Sequence, residues 1–294
     1  MNAPDFHTVR LTGLGSSDAA PACGVSRFRT AFDVYQEKRG ETRGAEENDA
    51  MRFGTLLEPV ILDEFERRSG LMILRKPPVA RSVDHPFMLA HLDAVTEQTG
   101  PAAANAVVEA KCSRSGEGFG EPGTADIPID YLVQTHHQMI VVGCTLAFVP
   151  VLIAGSDFRI YEIPFDQGLG DLIVANEATL WDRIQRADPP EIDPDAPGAL
   201  DLIRRVYRGT NGKRVRATSS DEHWRAVFHE ATAKREKYAT TADGAKAHLL
   251  LEMGDNAELE FADGATLRRK LITVKGYTVE PREQIDARFI KAKD

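Results

Sequence analysis

The sequence predicts an α/β protein, with a mixed central sheet flanked by helices, followed by a smaller α+β appendage built from a long helix and a β-hairpin. Three observations carry that prediction. Segments of helical and strand periodicity alternate over residues 1–187. A proline-rich acidic stretch, DPPEIDPDAPG, follows at 188–198. Proline bars helix and sheet ladders there, and like charges hold the chain extended as a linker. Residues 199–294 then change character, to one long polar helix-favouring stretch and a hairpin signal.

The elements follow in order. Helices are expected over 16–23, closed by Gly24, and over 31–38, closed by Gly40. Residues 55–68 set Leu57, Ile61 and Phe65 at helical spacing, and Gly70 stops them. Strands are expected over 72–74, 87–95 and 106–113, with a loop at 97–105 broken by Gly100-Pro101. Residues 131–142 read as a helix, 147–154 and 159–163 as a closing pair of strands, and 168–185 as a long helix. Downstream, 219–252 reads as a helix interrupted near Asp243-Gly244 and capped by Gly254. Residues 258–261 and 265–274 flank Ala262-Asp263-Gly264, and an Asp-Gly step suits the positive φ of a hairpin turn.

Bulk properties narrow the class. With 42% hydrophobic and 28% charged residues, the composition is that of an ordinary globular protein. No apolar run approaches the roughly 20 residues that cross a bilayer, and the first residues lack a basic-then-apolar leader. Cys23, Cys112 and Cys144 are widely spaced and odd in number, which fits reduced thiols and a cytoplasmic protein. Without a Cys-x-x-Cys pair, neither a zinc ribbon nor a cysteine-held iron–sulfur cluster is suggested. The net charge of −9 counts against a protein that coats nucleic acid non-specifically. The charge is uneven: residues 1–187 carry −9, the linker four acids and no base, and residues 199–294 carry +4.

One segment does not fit an ordinary core strand. Ala106-Val107-Val108-Glu109-Ala110-Lys111-Cys112 sets a carboxylate and an amine two residues apart in an apolar run, just after Leu92-Asp93-Ala94. Strand side chains alternate faces, so Val107, Glu109 and Lys111 share one face. Buried charges are costly unless neutralised. Asp93, Glu109 and a hard divalent cation such as Mg²⁺, with Mn²⁺ as a substitute, would satisfy one another through oxygen ligands. The Ala110 carbonyl is a further candidate ligand, and Glu58 would join the shell directly or through water. Such a cation polarises a phosphoryl oxygen and acidifies water, while Lys111 orients that water or stabilises developing negative charge. Gln134, one helical turn from Gln138, is placed to hydrogen-bond the carboxylate or the lysine.

Each residue also has a plainer reading. Glu-x-Lys commonly marks a solvated face. Thr55-x-x-Glu58 fits a helix capping box, Asp93 a turn at a strand end, and Ser17 an N-cap. His136 and His137 are adjacent, do not share a helix face, and read as a polar or half-buried helix surface.

Taken together, Glu58, Asp93, Glu109-x-Lys111 and Tyr131-x-x-Gln134 resemble, in order and spacing, the YqaJ-type viral recombinase nucleases. These are relatives of phage lambda exonuclease within the PD-(D/E)xK superfamily. Leu14-Gly15-Ser16-Ser17-Asp18 and the residues up to Ser26 resemble the family's opening motif. The resemblance spans roughly residues 8–187 and implies a restriction-endonuclease-like core. It implies Mg²⁺-dependent 5′→3′ degradation of one strand of duplex DNA, leaving 3′ overhangs for a single-strand annealing partner. It also implies a homo-oligomer, a trimeric ring around DNA. Asp93 and Glu109 match the family's metal ligands, Lys111 its catalytic lysine, Glu58 the helix glutamate and Gln134 the last-motif glutamine. Arg10 and Ser17 match the pair that holds a 5′-phosphate, where a guanidinium fork and a hydroxyl at a helix start suit the anion. His91 stands where that pocket has a serine. Alternatives are an endonuclease or repair nuclease of the same superfamily, or a DNA-end-binding protein that does not cut. Arg268-Arg269-Lys270 and Lys275 are expected to follow a DNA backbone or a partner.

Overall fold

The computed structural model describes residues 6–42, 48–97, 105–195, 199–207, 209 and 212–271. The chain divides into two compact units, Met1–Ile203 and Arg204–Asp294.

The first unit opens with α1 (Phe6–Arg10), β1 (Leu14–Gly15) and α2 (Ser16–Ala22), then α3 (Ala31–Lys38) and α4 (Asp49–Ser69). Between α1 and β1, Gly13 passes so close to a later segment that a Cβ would lie 2.5 Å from the Phe87 carbonyl oxygen. Thr30 caps α3 by accepting from the Asp33 amide. The α4 helix starts earlier than its expected 55–68 span. Asn48 caps it by accepting from the Met51 amide, and Thr55 lies inside, donating to the Met51 carbonyl. The capping-box reading of Thr55 and Glu58 is therefore wrong. The helix carries Pro59 in its interior, against the usual cost of a missing amide. It is fastened by Ile61, Leu62 and Phe65, each at most 1% exposed, and full burial of such a side chain stabilises by about 1.5–3 kcal/mol. Gly70 ends it at φ 71°.

Short strands follow: β2 (Ile73–Arg75), β3 (Ala80–Arg81), β4 (Met88–Ala90), β5 (Ala94–Thr96), β6 (Val107–Val108) and β7 (Lys111–Ser113). Then come α5 (Ile129–Val142), β8 (Leu146–Ile153), β9 (Asp157–Pro164), α6 (Gln167–Arg186) and α7 (Ala199–Val206). A main sheet contains β2, β5, β6, β7, β8 and β9; a smaller one runs β1-β4-β3. Both β6 and β7 run parallel to β8, at Val107↔Ala147 and Lys111↔Val151, whereas β9 pairs it antiparallel. The sheet is thus mixed.

Two expected strands are broken. The 87–95 strand splits into β4 and β5, which belong to different sheets, with Asp93 at the break. The 106–113 strand splits at Glu109-Ala110, where the Ala110 amide is taken by the Asp93 side chain at 2.9 Å and leaves the ladder. The Glu109 amide still reaches the Phe148 carbonyl at 3.0 Å, so the β8 register carries across the gap. Alternation survives as well: Val107 packs in the core with Val133 and Met139 of α5, and Val108 in the core with Leu62 and Phe65 of α4. Glu109 and Lys111 follow Val107 toward α5.

Residues 188–195 hold no helix or strand. Glu191, Ile192 and Asp193 share a small hollow with Ala31 and Phe32; residues 196–198 lie outside the described set. In the second unit, α8 (Ser219–Met253) is continuous, so the expected interruption near Asp243-Gly244 does not occur. Its capping box at Thr218 and Asp221 fixes the start, and the Gly254 amide closes the end. The hairpin pairs β10 (Glu258–Glu260) with β11 (Thr266–Arg268), with Gly264 at φ 82°. Arg268 donates to Glu258 across the pair. Lys275 and the last part of the expected 265–274 strand lie outside the described residues. No helix among the described residues is long and apolar enough to cross a membrane.

Candidate active site

The strand break sets Asp93 and Glu109 beside each other, and α5 lies over them. Glu109 is 4% exposed, and both of its oxygens are held. Oε1 accepts from Lys111 Nζ at 2.7 Å and Gln134 Nε2 at 2.5 Å; Oε2 accepts from Gln138 Nε2 at 2.6 Å. Lys111 also donates to Gln134 Oε1 at 3.0 Å and lies 4.7 Å from the centre of the Tyr131 ring, a favourable place for a cation. These contacts fix the Gln134 amide, because a flipped group would turn its NH₂ toward the ammonium.

The charge balance of this cluster is negative. Burial, then the nearby Glu109 carboxylate, push the Asp93 carboxyl up to about 8; Glu58 adds to the rise, while Lys111 and the Ala110 amide oppose it. Burial disfavours a charged Lys111, but Glu109 and then Asp93 outweigh this and hold its pKa above the ordinary lysine value. Glu58 Oε1 is buried and accepts no hydrogen bond among the described residues; Lys76 Nζ stands 3.3 Å away as an ion pair. A divalent cation fits this donor set. It would offset the repulsion between Asp93 and Glu109 and share the Glu58 oxygen with Lys76. Among the described residues, no three His, Cys, Asp or Glu side chains group closely enough to hold a metal alone. Water or a backbone carbonyl such as that of Ala110 would therefore complete the shell, as is usual for Mg²⁺.

Beside this cluster lies an open cleft of about 820 Å³, lined by Arg10, Ser16, Ser17, Arg29, Tyr131 and Gln134 among others. Tyr131 and Gln134 therefore border both the cleft and the acidic cluster. Ser17 is exposed and is the second residue of α2; the N-cap is Gly15, whose amide donates to Asp18 at 2.9 Å. The N-cap reading of Ser17 is thus replaced. His91 is partly buried, and burial followed by the Arg10 charge keeps its ring pKa below the ordinary histidine value. The structure therefore brings Asp93, Glu109, Lys111 and Gln134 together, with Glu58 close enough to act on Asp93. Arg10 and Ser17 share the cleft.

Sequence reasoning missed several residues here. Gln138 is fully buried; it grips Glu109 and lies 3.5 Å from Ser16 Oγ. Its spacing from Gln134 was the available signal. His136 and His137 are not surface residues: they are 1% and 0% exposed. His136 Nε2 accepts from the Asp166 amide and its Nδ1 faces the Leu132 carbonyl, which defines a neutral ring. His137 Nε2 faces the Leu89 carbonyl and its Nδ1 faces Glu177, each near 2.7–2.8 Å. That pair ties α5 to α6 and β4. Burial opposes charge on His137, but Glu177 outweighs it and raises the pKa.

Residues 5–145 match the YqaJ-like viral recombinase domain. Bacillus subtilis YqaJ, an uncharacterized protein, is 30% identical over 225 residues, covering 75% of this chain and 69% of that one. The chain belongs to the YqaJ family. Its fold is shared with the alkaline exonuclease LHK-Exo of Laribacter hongkongensis, at a TM-score of 0.50 and 16% identity, covering 70% of this chain and 99% of that one. The same enzyme in complex with dAMP matches at 15% identity, with the same TM-score and coverage.

Proposed function

We propose that the protein is a metal-dependent deoxyribonuclease, a 5′→3′ exonuclease that degrades one strand of linear duplex DNA and leaves 3′ overhangs. The carrying observation is the convergence of Asp93, Glu109, Lys111 and Gln134 at a broken strand. Asp93 and Glu109, with the Ala110 carbonyl and Glu58 directly or through water, would hold Mg²⁺ or Mn²⁺. When bound, the ion supplies Lewis acidity at a phosphoryl oxygen and a more acidic water. Lys111, kept protonated by its acidic neighbours, stabilises negative charge developing on the phosphorus oxygens and orients the attacking water. Gln134 holds Lys111 and Glu109 in one geometry.

At the cleft, Arg10 and Ser17 bind the 5′-phosphate of a DNA end, with His91 in place of a hydroxyl donor. The deoxynucleotide bound by LHK-Exo supports a deoxynucleotide as the product class. Membership of a recombinase family supports a single-strand annealing protein as partner; by resemblance, a ring-shaped trimer completes the reading. The test is incubation with linear, nicked and closed-circular duplex, with Mg²⁺ or EDTA. Linear DNA with a 5′-phosphate should be digested in Mg²⁺ only, and closed circles spared. Cutting of closed circles would replace this reading with an endonuclease.

A further inference from the structure

Behind the cleft lies a charged cluster that the chemistry above does not use. Asp18 and Lys38 are fully buried and 2.7 Å apart. Lys38 also donates to the backbone carbonyl of Arg10 at 2.8 Å, which fixes the chain carrying that arginine. In front of them, one carboxylate bridges two guanidiniums: Glu37 Oε1 accepts from Arg10 at 3.2 Å and Glu37 Oε2 from Arg29 at 2.5 Å. Asp18 Oδ1 lies 3.2 Å from Arg29 and 3.9 Å from Arg10. The two guanidiniums are thus neighbours, held from behind, and their side chains remain 29% and 24% exposed at the cleft.

Three cations against two carboxylates leave a surplus of one positive charge. Burying the Asp18–Lys38 pair is costly, and a fold needing only a tie between α2 and α3 could use apolar side chains. Among the described residues, Arg10 donates one hydrogen bond and Arg29 two, of the five N–H donors each guanidinium carries. Asp130 also lines the cleft, but it is paired with Arg27 at 3.3 Å.

We propose that Arg29 is a second phosphate-binding cation of this cleft, and that the Arg10–Arg29 pair selects a terminal phosphate monoester over an internal diester. The inference rests on the 5′-end reading above. A terminal phosphate carries a charge of about −1.5 to −2 at neutral pH, whereas a backbone phosphate carries one negative charge. Two adjacent forks match the doubly charged group. Arg10 alone would suit either.

The test measures binding of the full chain in EDTA, so that nothing is cut. Duplexes closed at one end by a hairpin carry a 5′-phosphate, a 5′-methyl phosphate (one charge, similar size) or a 5′-hydroxyl at the other. The wild type should bind them in that order. Arg29→Ala should cut the phosphate preference over methyl phosphate about tenfold, making the two ends nearly equal. Arg10→Ala should lower binding of both phosphorylated ends. Arg29→Lys keeps a charge beside Asp18 and Glu37, protects the fold, and should restore part of the preference. If Arg29→Ala or Arg29→Lys, folded by circular dichroism, keeps the full wild-type preference while Arg10→Ala loses it, Arg29 is not in the pocket and the exonuclease reading stands. Equal wild-type binding of all three ends would overturn the 5′-end reading and this inference with it.

Discussion

Two aspartates, the partly buried Asp93 and the fully buried Asp18, belong to neighbouring charged clusters and are shifted in opposite directions. Burial pushes both carboxyls up, but the neighbours decide the outcome. Around Asp93 the next influence is Glu109, and its pKa rises to about 8. Around Asp18 it is Lys38, then Arg29, and the pKa falls below the ordinary aspartate value. One site is short of positive charge and suits a cation; the other has positive charge to spare and suits an anion. The proposed nuclease, beginning at a phosphorylated end, would need both, side by side. The contrast between the two aspartates can be broken at several points.

The largest effect is expected in the acidic cluster. Lys111→Ala should lower cleavage roughly a hundredfold to a thousandfold, the scale of losing a principal charge-stabilising group, with DNA binding in EDTA little changed. Asp93→Asn and Glu109→Gln should do the same, because an amide holds a divalent ion poorly. Gel-based digestion of labelled linear duplex measures both, and wild-type rates in Lys111→Ala would remove it from the chemistry.

Stability should then separate the two aspartates. Asp18→Asn leaves Lys38 buried without its partner, a loss of about 3–5 kcal/mol. Asp93→Asn removes repulsion and should leave the metal-free protein as stable as wild type or more so. Thermal unfolding in EDTA compares them, and a similar destabilisation by both substitutions would refute the contrast.

The pH dependence has opposite signs as well. Between about pH 4 and 8, folded Asp93 holds a proton that the unfolded chain has released. Its contribution to metal-free stability therefore declines as pH rises through that window. Folded Asp18 has the lower pKa, so its contribution is present above about pH 4 and is lost on acidification through its folded value. Mg²⁺ must displace the Asp93 proton. The rise in unfolding temperature on adding Mg²⁺ should thus be larger at pH 8 than at pH 6.

The smallest expected effect is at Gln138. It holds Glu109 Oε2 while its own Oε1 is buried without a hydrogen bond among the described residues, an arrangement that costs about 1–3 kcal/mol. Gln138→Ala should raise the Mg²⁺ concentration for half-maximal cleavage about tenfold, as loss of support behind a metal ligand commonly does. An unchanged Mg²⁺ dependence would make Gln138 a packing residue only.

How far these features were legible differs between the two sites for a physical reason. Glu109 and Lys111 stand out because charges interrupt an apolar run, and strand alternation already places them together. The break at Glu109-Ala110 was not legible, since it depends on a bond to Asp93 from a distant part of the chain. The cationic cluster was hidden for the same reason. Asp18, Arg29, Glu37 and Lys38 have the spacing of ordinary helix-surface and helix-end charges, and only the packing of α2 on α3 shows that they face one another. The start of α4 was misplaced because Thr55 and Glu58 mimic a helix cap seven residues after the real one at Asn48. The mixed sheet with flanking helices was legible from the alternation of periodicities, since its long elements, α5, β8, β9 and α6, bury continuous apolar faces.

The central claim is that Asp93 and Glu109 form a cation site. Calorimetric titration of the metal-free protein with Mg²⁺ at pH 8 tests it most directly. Saturable binding that releases protons, and that disappears in Asp93→Asn, is the predicted result. No binding by the wild type, or the same binding by Asp93→Asn, would contradict it.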